Sequence, residues 1–349
     1  MESKKRVGVL TGGGDCPGLN AVIRAVVRRS IMHGGYDIVG IKHGWRGLLE
    51  KETVQLTRPA VSGLLPRGGT ILGTSRTNIY KNKESQEKAY ANFRELNLDA
   101  LIAIGGEDTL GTAQKMSQDG FNIVGVPKTI DNDLMGTDVT FGFDTAVQIA
   151  TEAIDRLHST AESHDRVLVC EVMGRHAGWI ATYAGLAGGA DAILIPEKPI
   201  DLDEVCAMVE RRHDQGIFFS IIVVAEGAKI KEGQREKEVL SSQRLDDFGH
   251  VQLGGVGDVL AKEIEKRTGY ETRVTVLGHV QRGGTPTAHD RVLATRYGVA
   301  AMDAVHAGRS GVLVALKGQE IVEVPLTEVA SGIRTVNEDL YQMTKTFWG

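Results

Sequence analysis

Two short segments carry most of the chemical information in this 349-residue chain: Gly105-Gly106-Glu107-Asp108-Thr109 and, shortly after, Pro127-Lys128-Thr129-Ile130-Asp131-Asn132-Asp133. Each follows an apolar run with the character of a buried strand, residues 100–104 and 122–126. In open parallel sheets ligands bind at the carboxyl ends of strands, so both segments stand where a site is expected, on strand-end loops. Glycines there let backbone N–H groups approach phosphate oxygens. Carboxylates beside a phosphate cradle are costly unless a cation or a transferable proton accounts for them. The combination predicts phosphoryl transfer, with Mg²⁺ held by acids and one aspartate free to act as a base. Asp131 and Asp133 share a side if the segment is extended and diverge if it turns. An Asp-Asn-Asp run can also do no more than turn the chain. Lys128, set against two aspartates in a glycine-rich context, tips the reading toward a polyphosphate site. Glu107, directly after the glycine pair, is the leading metal ligand.

A third loop, Thr11-Gly12-Gly13-Gly14-Asp15-Cys16-Pro17-Gly18, follows the first apolar run and opens a helix. Pro17 suits a first helical turn, where its missing N–H costs nothing. The helix N-terminus and the glycine N–H groups then face an anion. The loop lacks the Gly-Lys-Ser/Thr ending of a P-loop, and Pro17 occupies the position of the last glycine in the dinucleotide fingerprint. An oxidoreductase is disfavoured on that ground.

These loops need a framework. Short β-branched runs alternate with longer amphipathic segments along the whole chain. Strands are expected at residues 7–10, 37–41, 100–104, 122–126, 167–172, 192–195, 218–225, 274–277 and 312–316. Helices are expected at 19–32, 84–96, 110–117, 144–162, 202–214, 256–267 and 288–307. The alternation predicts an α/β fold with mostly parallel sheets covered on both faces. The length suggests about two domains. The expected division is two α/β lobes, over 1–140 and 141–310, and a C-terminal strand and helix segment over 311–349. The chain is free to cross between lobes more than once. A polar stretch at 229–250 is expected to be a surface insertion.

Bulk properties narrow the class. A net charge of −5 implies no basic face for nucleic acid. Three cysteines, widely spaced and without a C-x-x-C pair, exclude a disulfide framework and a four-cysteine zinc site and suit a reducing cytoplasm. No apolar run approaches the roughly 20 residues that span a bilayer. The basic N-terminus leads straight into a strand, without a signal-peptide core.

Together with Glu171-Val172-Met173-Gly174-Arg175 and Leu277-Gly278-His279-Val280-Gln281-Arg282-Gly283-Gly284, these segments resemble the phosphofructokinase family. The motifs occur in the family's order from about Val7 to Gly298. The resemblance implies two Rossmann-like lobes, 1–140 binding the phosphoryl donor and 141–310 binding fructose 6-phosphate, with the active site in the cleft between them. It also implies Mg²⁺-dependent phosphorylation of fructose 6-phosphate on its 1-hydroxyl, in glycolysis. Position by position, Asp131 matches the catalytic base, flanked by Thr129 and Asp133. Met173, Gly174 and Arg175 match the sugar-binding segment, and Arg175 would also neutralise charge on the transferring phosphoryl. Glu226 matches an acid that binds sugar hydroxyls, and His279 and Arg282 match groups around the 6-phosphate. Arg166 and Arg273 match arginines that reach the 6-phosphate from a neighbouring subunit, which implies a homo-oligomer, dimer or tetramer, with a shared site. Gly14, Arg76 and Glu107 match donor-side positions.

The same resemblance separates two donors. ATP-using members typically carry glycine where this chain has Asp108, and bacterial ones often carry glycine at the position of Lys128. Members that use inorganic pyrophosphate typically carry Asp and Lys; Lys at this position also occurs in some ATP users, so Asp108 carries most of the weight. The implied reaction is a pyrophosphate–fructose 6-phosphate phosphotransfer, reversible and so able to serve gluconeogenesis as well. ATP is the alternative donor. A non-catalytic sugar-phosphate sensor is disfavoured because Asp131, Glu107 and Arg175 are all present.

Overall fold

A computed structural model describes residues 4–231, 233 and 255–349. The insertion expected at 229–250 falls almost wholly outside the described residues. The strands are β1 (Lys5–Thr11), β2 (Tyr36–Ile41), β3 (Thr53–Gln55), β4 (Ala100–Gly105), β5 (Ile123–Pro127), β6 (Val167–Val172), β7 (Ala192–Leu194), β8 (Ser220–Ala225), β9 (Thr272–Val276), β10 (Val312–Lys317) and β11 (Glu320–Pro325). The helices are α1 (Leu19–His33), α2 (Trp45–Glu50), α3 (Lys83–Glu95), α4 (Glu107–Gln118), α5 (Phe143–His164), α6 (Trp179–Ala187), α7 (Leu202–Asp214), α8 (Val256–Thr268), α9 (Ala288–His306) and α10 (Glu338–Lys345).

Two sheets organise the chain. The first has the order β11-β10-β5-β4-β1-β2-β3, parallel except at its two outer pairs. The second, β7-β8-β6-β9, is parallel throughout. The α/β class with mostly parallel sheets agrees with the sequence reading. After β9 the chain returns through α9 to add β10 and β11 to the first sheet.

Alternation along each strand divides three apolar layers. Val7, Val9, Ile102, Ile104, Val124 and Val126 face α1 and α9 in a core that continues through α5 and α6 to Leu168, Cys170 and Val172 of the second sheet. Leu10, Ile41, Leu101, Ala103 and Ile123 face the opposite way, against α2, α3 and α4. The remaining face of the second sheet, including Val167, Val169, Ile222 and Val224, packs under α7 and α8. Strands buried on both faces read as continuous apolar runs, which is why the central ones were legible.

The sequence reading missed α2, α6, β3 and β11, and expected α10 only as a helix within the C-terminal segment. Helix α6, Trp-Ile-Ala-Thr-Tyr-Ala-Gly-Leu-Ala, is apolar nearly all round and shows no helical period. Strand β11 is a half-exposed edge whose charged residues break the apolar pattern.

Candidate active site

The three glycine and acid segments converge because β1, β4 and β5 are adjacent in the centre of the first sheet. Their carboxyl ends are laced together. The Gly12 N–H donates to the Ile104 carbonyl at 2.9 Å, and the Lys128 N–H donates to the Gly105 carbonyl at 2.9 Å. Ser75 accepts from the Gly13 N–H at 3.2 Å, and the Thr74 hydroxyl donates to the Gly13 carbonyl at 2.5 Å. Arg76 follows directly, exposed beside this loop.

One sequence expectation needs correcting. Glu107 and Asp108 do not lie on a loop; they form the first turn of α4, with Gly106 as its extended N-cap. Acids are favourable there because the unpaired N–H groups and the helix dipole are positive. Both residues still stand at the carboxyl end of β4.

Lys128 is buried, with 3% of its surface exposed, and its Nζ donates to the Gly14 carbonyl at 2.5 Å. Burial, reinforced by the Arg282 guanidinium, lowers its pKa, while Asp131 and Asp15 oppose that shift. When charged, this side chain presents a cation beside the glycine loop.

The Asp131–Asp133 segment is turned, not extended. Asn132 sits between the two acids at φ 54°, a left-handed conformation that asparagine tolerates better than most residues. Its Oδ1 accepts from the Thr140 N–H at 3.0 Å, and the Thr140 hydroxyl donates to the Thr129 carbonyl at 2.7 Å. The Asp131 N–H donates to the Thr129 hydroxyl at 3.1 Å. Asp131 Oδ1 is buried without a hydrogen-bond partner. An orphaned carboxylate oxygen is costly inside a protein, and a substrate hydroxyl would satisfy it.

The sugar-side candidates come from the second sheet. Met173, Gly174 and Arg175 leave the carboxyl end of β6, Glu226 leaves β8, and His279 and Arg282 lie on the 3₁₀ turn after β9. The Glu226 N–H donates to the Val172 carbonyl at 2.8 Å, and the Gly227 N–H donates to the Gly174 carbonyl at 3.1 Å. Gly227 is required: a β-carbon there would fall 1.9 Å from the Arg175 carbonyl oxygen. Buried Gln281, which the sequence reading did not single out, links the two segments by accepting from the Met173 N–H at 3.3 Å. Glu171 is turned away, accepting from the Gly257 N–H at 2.7 Å, and ties α8 to β6.

The two groups meet. Arg175, His176, Arg282 and Lys128 all lower the pKa of Asp131, against a larger upward push from burial. Arg282 reaches to the donor-side loop: its Nη1 donates to the Asp15 carbonyl at 3.4 Å, and a β-carbon on Gly14 would fall 2.2 Å from that nitrogen. His176 was not anticipated, since nothing in its spacing sets it apart. Arg166 and Arg273 are not brought in. They precede or open β6 and β9 at the amino ends, where both pair with Glu271, at 2.8 and 2.7 Å. Strand β6 separates them from Met173 by about 20 Å at ~3.3 Å per residue.

Burial is the main cause of the raised carboxyl pKa values. Asp133 is pushed up to about 7, with Asp131 and Glu107 adding like-charge repulsion. Glu226 is also pushed up to about 7, with further repulsion from Asp131 and Glu171. Such a cluster calls for a cation or a proton. Among the described residues no three acid, histidine or cysteine side chains stand together as a metal cage. Mg²⁺ characteristically takes one or two carboxylates with phosphate oxygens and waters, and Glu107 with Asp133 could supply the carboxylates.

A raised carboxyl pKa in the folded state has a definite sign. It adds stability below the ordinary carboxyl range and loses it as pH rises through about 7. Ligand-free wild type is therefore expected to lose melting temperature relative to Glu226→Gln between about pH 5 and pH 8. Thermal melts of both proteins at the two pH values check this, and a difference that does not change with pH would contradict it.

Residues 6–305 match the family model described as Phosphofructokinase. The chain is 59% identical over 345 residues to a pyrophosphate–fructose 6-phosphate 1-phosphotransferase of Streptomyces coelicolor, covering 99% of this chain and 100% of the relative. It is 53% identical over 336 residues to ATP-dependent 6-phosphofructokinase 3 of the same organism, covering 96% and 98%. Among solved structures it resembles the phosphofructokinase of Saccharomyces cerevisiae with a TM-score of 0.79 and 35% identity; that match covers 93% of this chain but 45% of the longer yeast chain.

Proposed function

The chain belongs to the phosphofructokinase family, and from that premise we propose that it transfers a phosphoryl group from pyrophosphate to the 1-hydroxyl of fructose 6-phosphate. The observation that carries the donor assignment is the pair at the phosphate cradle: Asp108 in the first turn of α4 and buried Lys128 clamped to Gly14. Asp108 puts bulk and negative charge where the α-phosphate of ATP would lie. Lys128 favours the compact, charge-dense pyrophosphate. The 53% identical relative named ATP-dependent keeps ATP as the alternative donor.

The chemistry follows from the residues. Asp131 Oδ1, buried and unpartnered, accepts the proton of the sugar 1-hydroxyl. The sugar oxygen bonds to the transferred phosphorus as the bridging P–O bond breaks, and orthophosphate leaves. Arg175 offsets charge on the moving phosphoryl, and Lys128 and Arg76 hold the donor. Mg²⁺, with Glu107 and Asp133 as its protein ligands, would neutralise donor charge. Met173, Gly174 and Glu226 orient the sugar, and His279 and Arg282 address the 6-phosphate. A sugar-phosphate dianion calls for forked cations of the kind arginine supplies. The near-balanced exchange of one phosphate bond for another makes the reaction reversible. Formation of fructose 1,6-bisphosphate with pyrophosphate as sole donor tests the assignment.

The first sheet is read as the framework of the donor lobe and the second as that of the sugar lobe. The distance of Arg166 and Arg273 from Met173 supports a site completed by a neighbouring copy, in a dimer or tetramer. Mixing inactive Asp131→Ser with inactive Arg273→Ala, after dissociation and reassembly, is expected to restore activity, because some mixed interfaces then hold both native residues. Recovery of none would contradict a shared site. Among the described residues no helix is long and apolar enough to cross a membrane. A cytoplasmic location is supported by three free, buried cysteines.

A further inference from the structure

Residues 333–336 belong to neither sheet and run between the Asp131 loop and the segment that follows Arg175. Ile333 pairs with Leu134 in an isolated antiparallel bridge. The Arg334 N–H donates to the Asp133 carbonyl at 2.8 Å, and its Nη1 donates to the Asn132 carbonyl at 2.9 Å. The guanidinium lies 4.2 Å over the Trp179 ring, and Trp179 Nε1 donates to the Arg334 carbonyl at 2.8 Å. Two residues on, the Val336 N–H donates to Glu197 Oε1 at 2.9 Å, and the same carboxylate accepts from the Gly178 N–H at 3.0 Å. The strap thus bonds two successive carbonyls of the catalytic loop at one end and the start of α6 at the other.

We propose that Arg334 is a positioning residue for phosphoryl transfer, holding the turned Asn132–Asp133 backbone so that Asp131 presents its free oxygen to the sugar hydroxyl. This rests on Asp131 being the base. Two independent observations carry it. Asn132 stands at φ 54°, and a non-glycine residue in that region persists where its surroundings over-determine it. The restraints are Thr140 on its side chain and Arg334 on its carbonyl. Moreover, the half-buried Arg334 guanidinium is aimed at that carbonyl by the indole face it lies over, so the bond has a fixed direction. A cation–π stack fixes the plane of a guanidinium, which fixes the direction of the bond it donates. The same residue joins the loop carrying the base to α6, whose chain enters directly from the sugar-binding segment. A small displacement of the base would be felt in the rate, since misplacement by about 1 Å can cost about 10²-fold.

Arg334→Met keeps the apolar stem and removes the charge and the donors. Its kcat is expected to fall roughly 10- to 100-fold, with KM for both substrates within about threefold of wild type. In an Asp131→Ser background the same substitution is expected to lower the residual rate less than about threefold, because the group being positioned is gone. Arg334→Lys should recover part of the loss. In ligand-free protein, backbone amides over 131–140 should exchange faster in Arg334→Met than in wild type, a readout independent of turnover. If Arg334→Met does not fold, Trp179→Phe carries the test: it keeps a ring face and loses the Nε1 bond, and should show the same non-additivity with Asp131→Ser. Unchanged kcat, or an equal loss with and without Asp131, would overturn the proposal. Wild type that fails to phosphorylate fructose 6-phosphate with either donor would instead overturn the functional reading and leave amide exchange to judge the strap.

Discussion

Replacing Asp131 by serine is expected to lower kcat by roughly 10³-fold, within the 10²–10⁴ range of a positioned general base, while KM for fructose 6-phosphate stays within a few-fold. The expectation comes from where the residue stands. Its Oδ1 is buried without a partner, and the positive groups that bias it, Arg282, Lys128, His176 and Arg175, come from both sides of the site. The arginines carry no acceptor, and His176, which has one when neutral, is exposed. Steady-state kinetics of the two proteins at saturating donor check this. A loss below about tenfold would mean that proton removal is not the contribution of Asp131.

The second large effect concerns the donor. Asp108→Gly is expected to lower the ratio of kcat/KM for pyrophosphate to that for ATP by at least about tenfold, and by as much as about a thousandfold. The upper figure follows from two like charges ~4 Å apart, which repel by about 4 kcal/mol at an effective dielectric near 20. The lower figure allows for what the structure adds. Asp108 lies in the first turn of α4, where the helix N-terminus offsets part of its charge, and it is partly exposed to solvent. Bulk acts independently of charge, so Asp108→Asn is expected to change the ratio less than Asp108→Gly. An unchanged ratio in the glycine variant would show that neither charge nor bulk at this position excludes ATP.

What was readable in the sequence follows a physical line. The central strands and the loops at their ends were legible because a strand buried on both faces is an unbroken apolar run, and the glycines and acids that end it stand out against that background. The placement of Glu107 and Asp108 was misread because their helix begins without a side-chain cap: Gly106, extended and silent in sequence, serves instead. The turn between Asp131 and Asp133 could not be decided from spacing, since it depends on the left-handed conformation of Asn132, whose side chain and carbonyl are bonded by Thr140 and Arg334. Arg334 itself carried no signal. It lies some 200 positions from the loop it holds, and it is joined to that loop by backbone atoms, which any residue possesses. The sugar-side residues were recognised through a family pattern and not through periodicity. Without that pattern, Arg166 and Arg273 would read as partners of Glu271, which within one chain they are.

The most direct test of this account is the initial rate of fructose 1,6-bisphosphate formation from fructose 6-phosphate and Mg²⁺, with pyrophosphate or ATP as sole donor on one preparation of pure protein. Turnover with pyrophosphate and little or none with ATP is the predicted result. Turnover with ATP alone would retain the sugar kinase and contradict the reading of Asp108 and Lys128 as a pyrophosphate site.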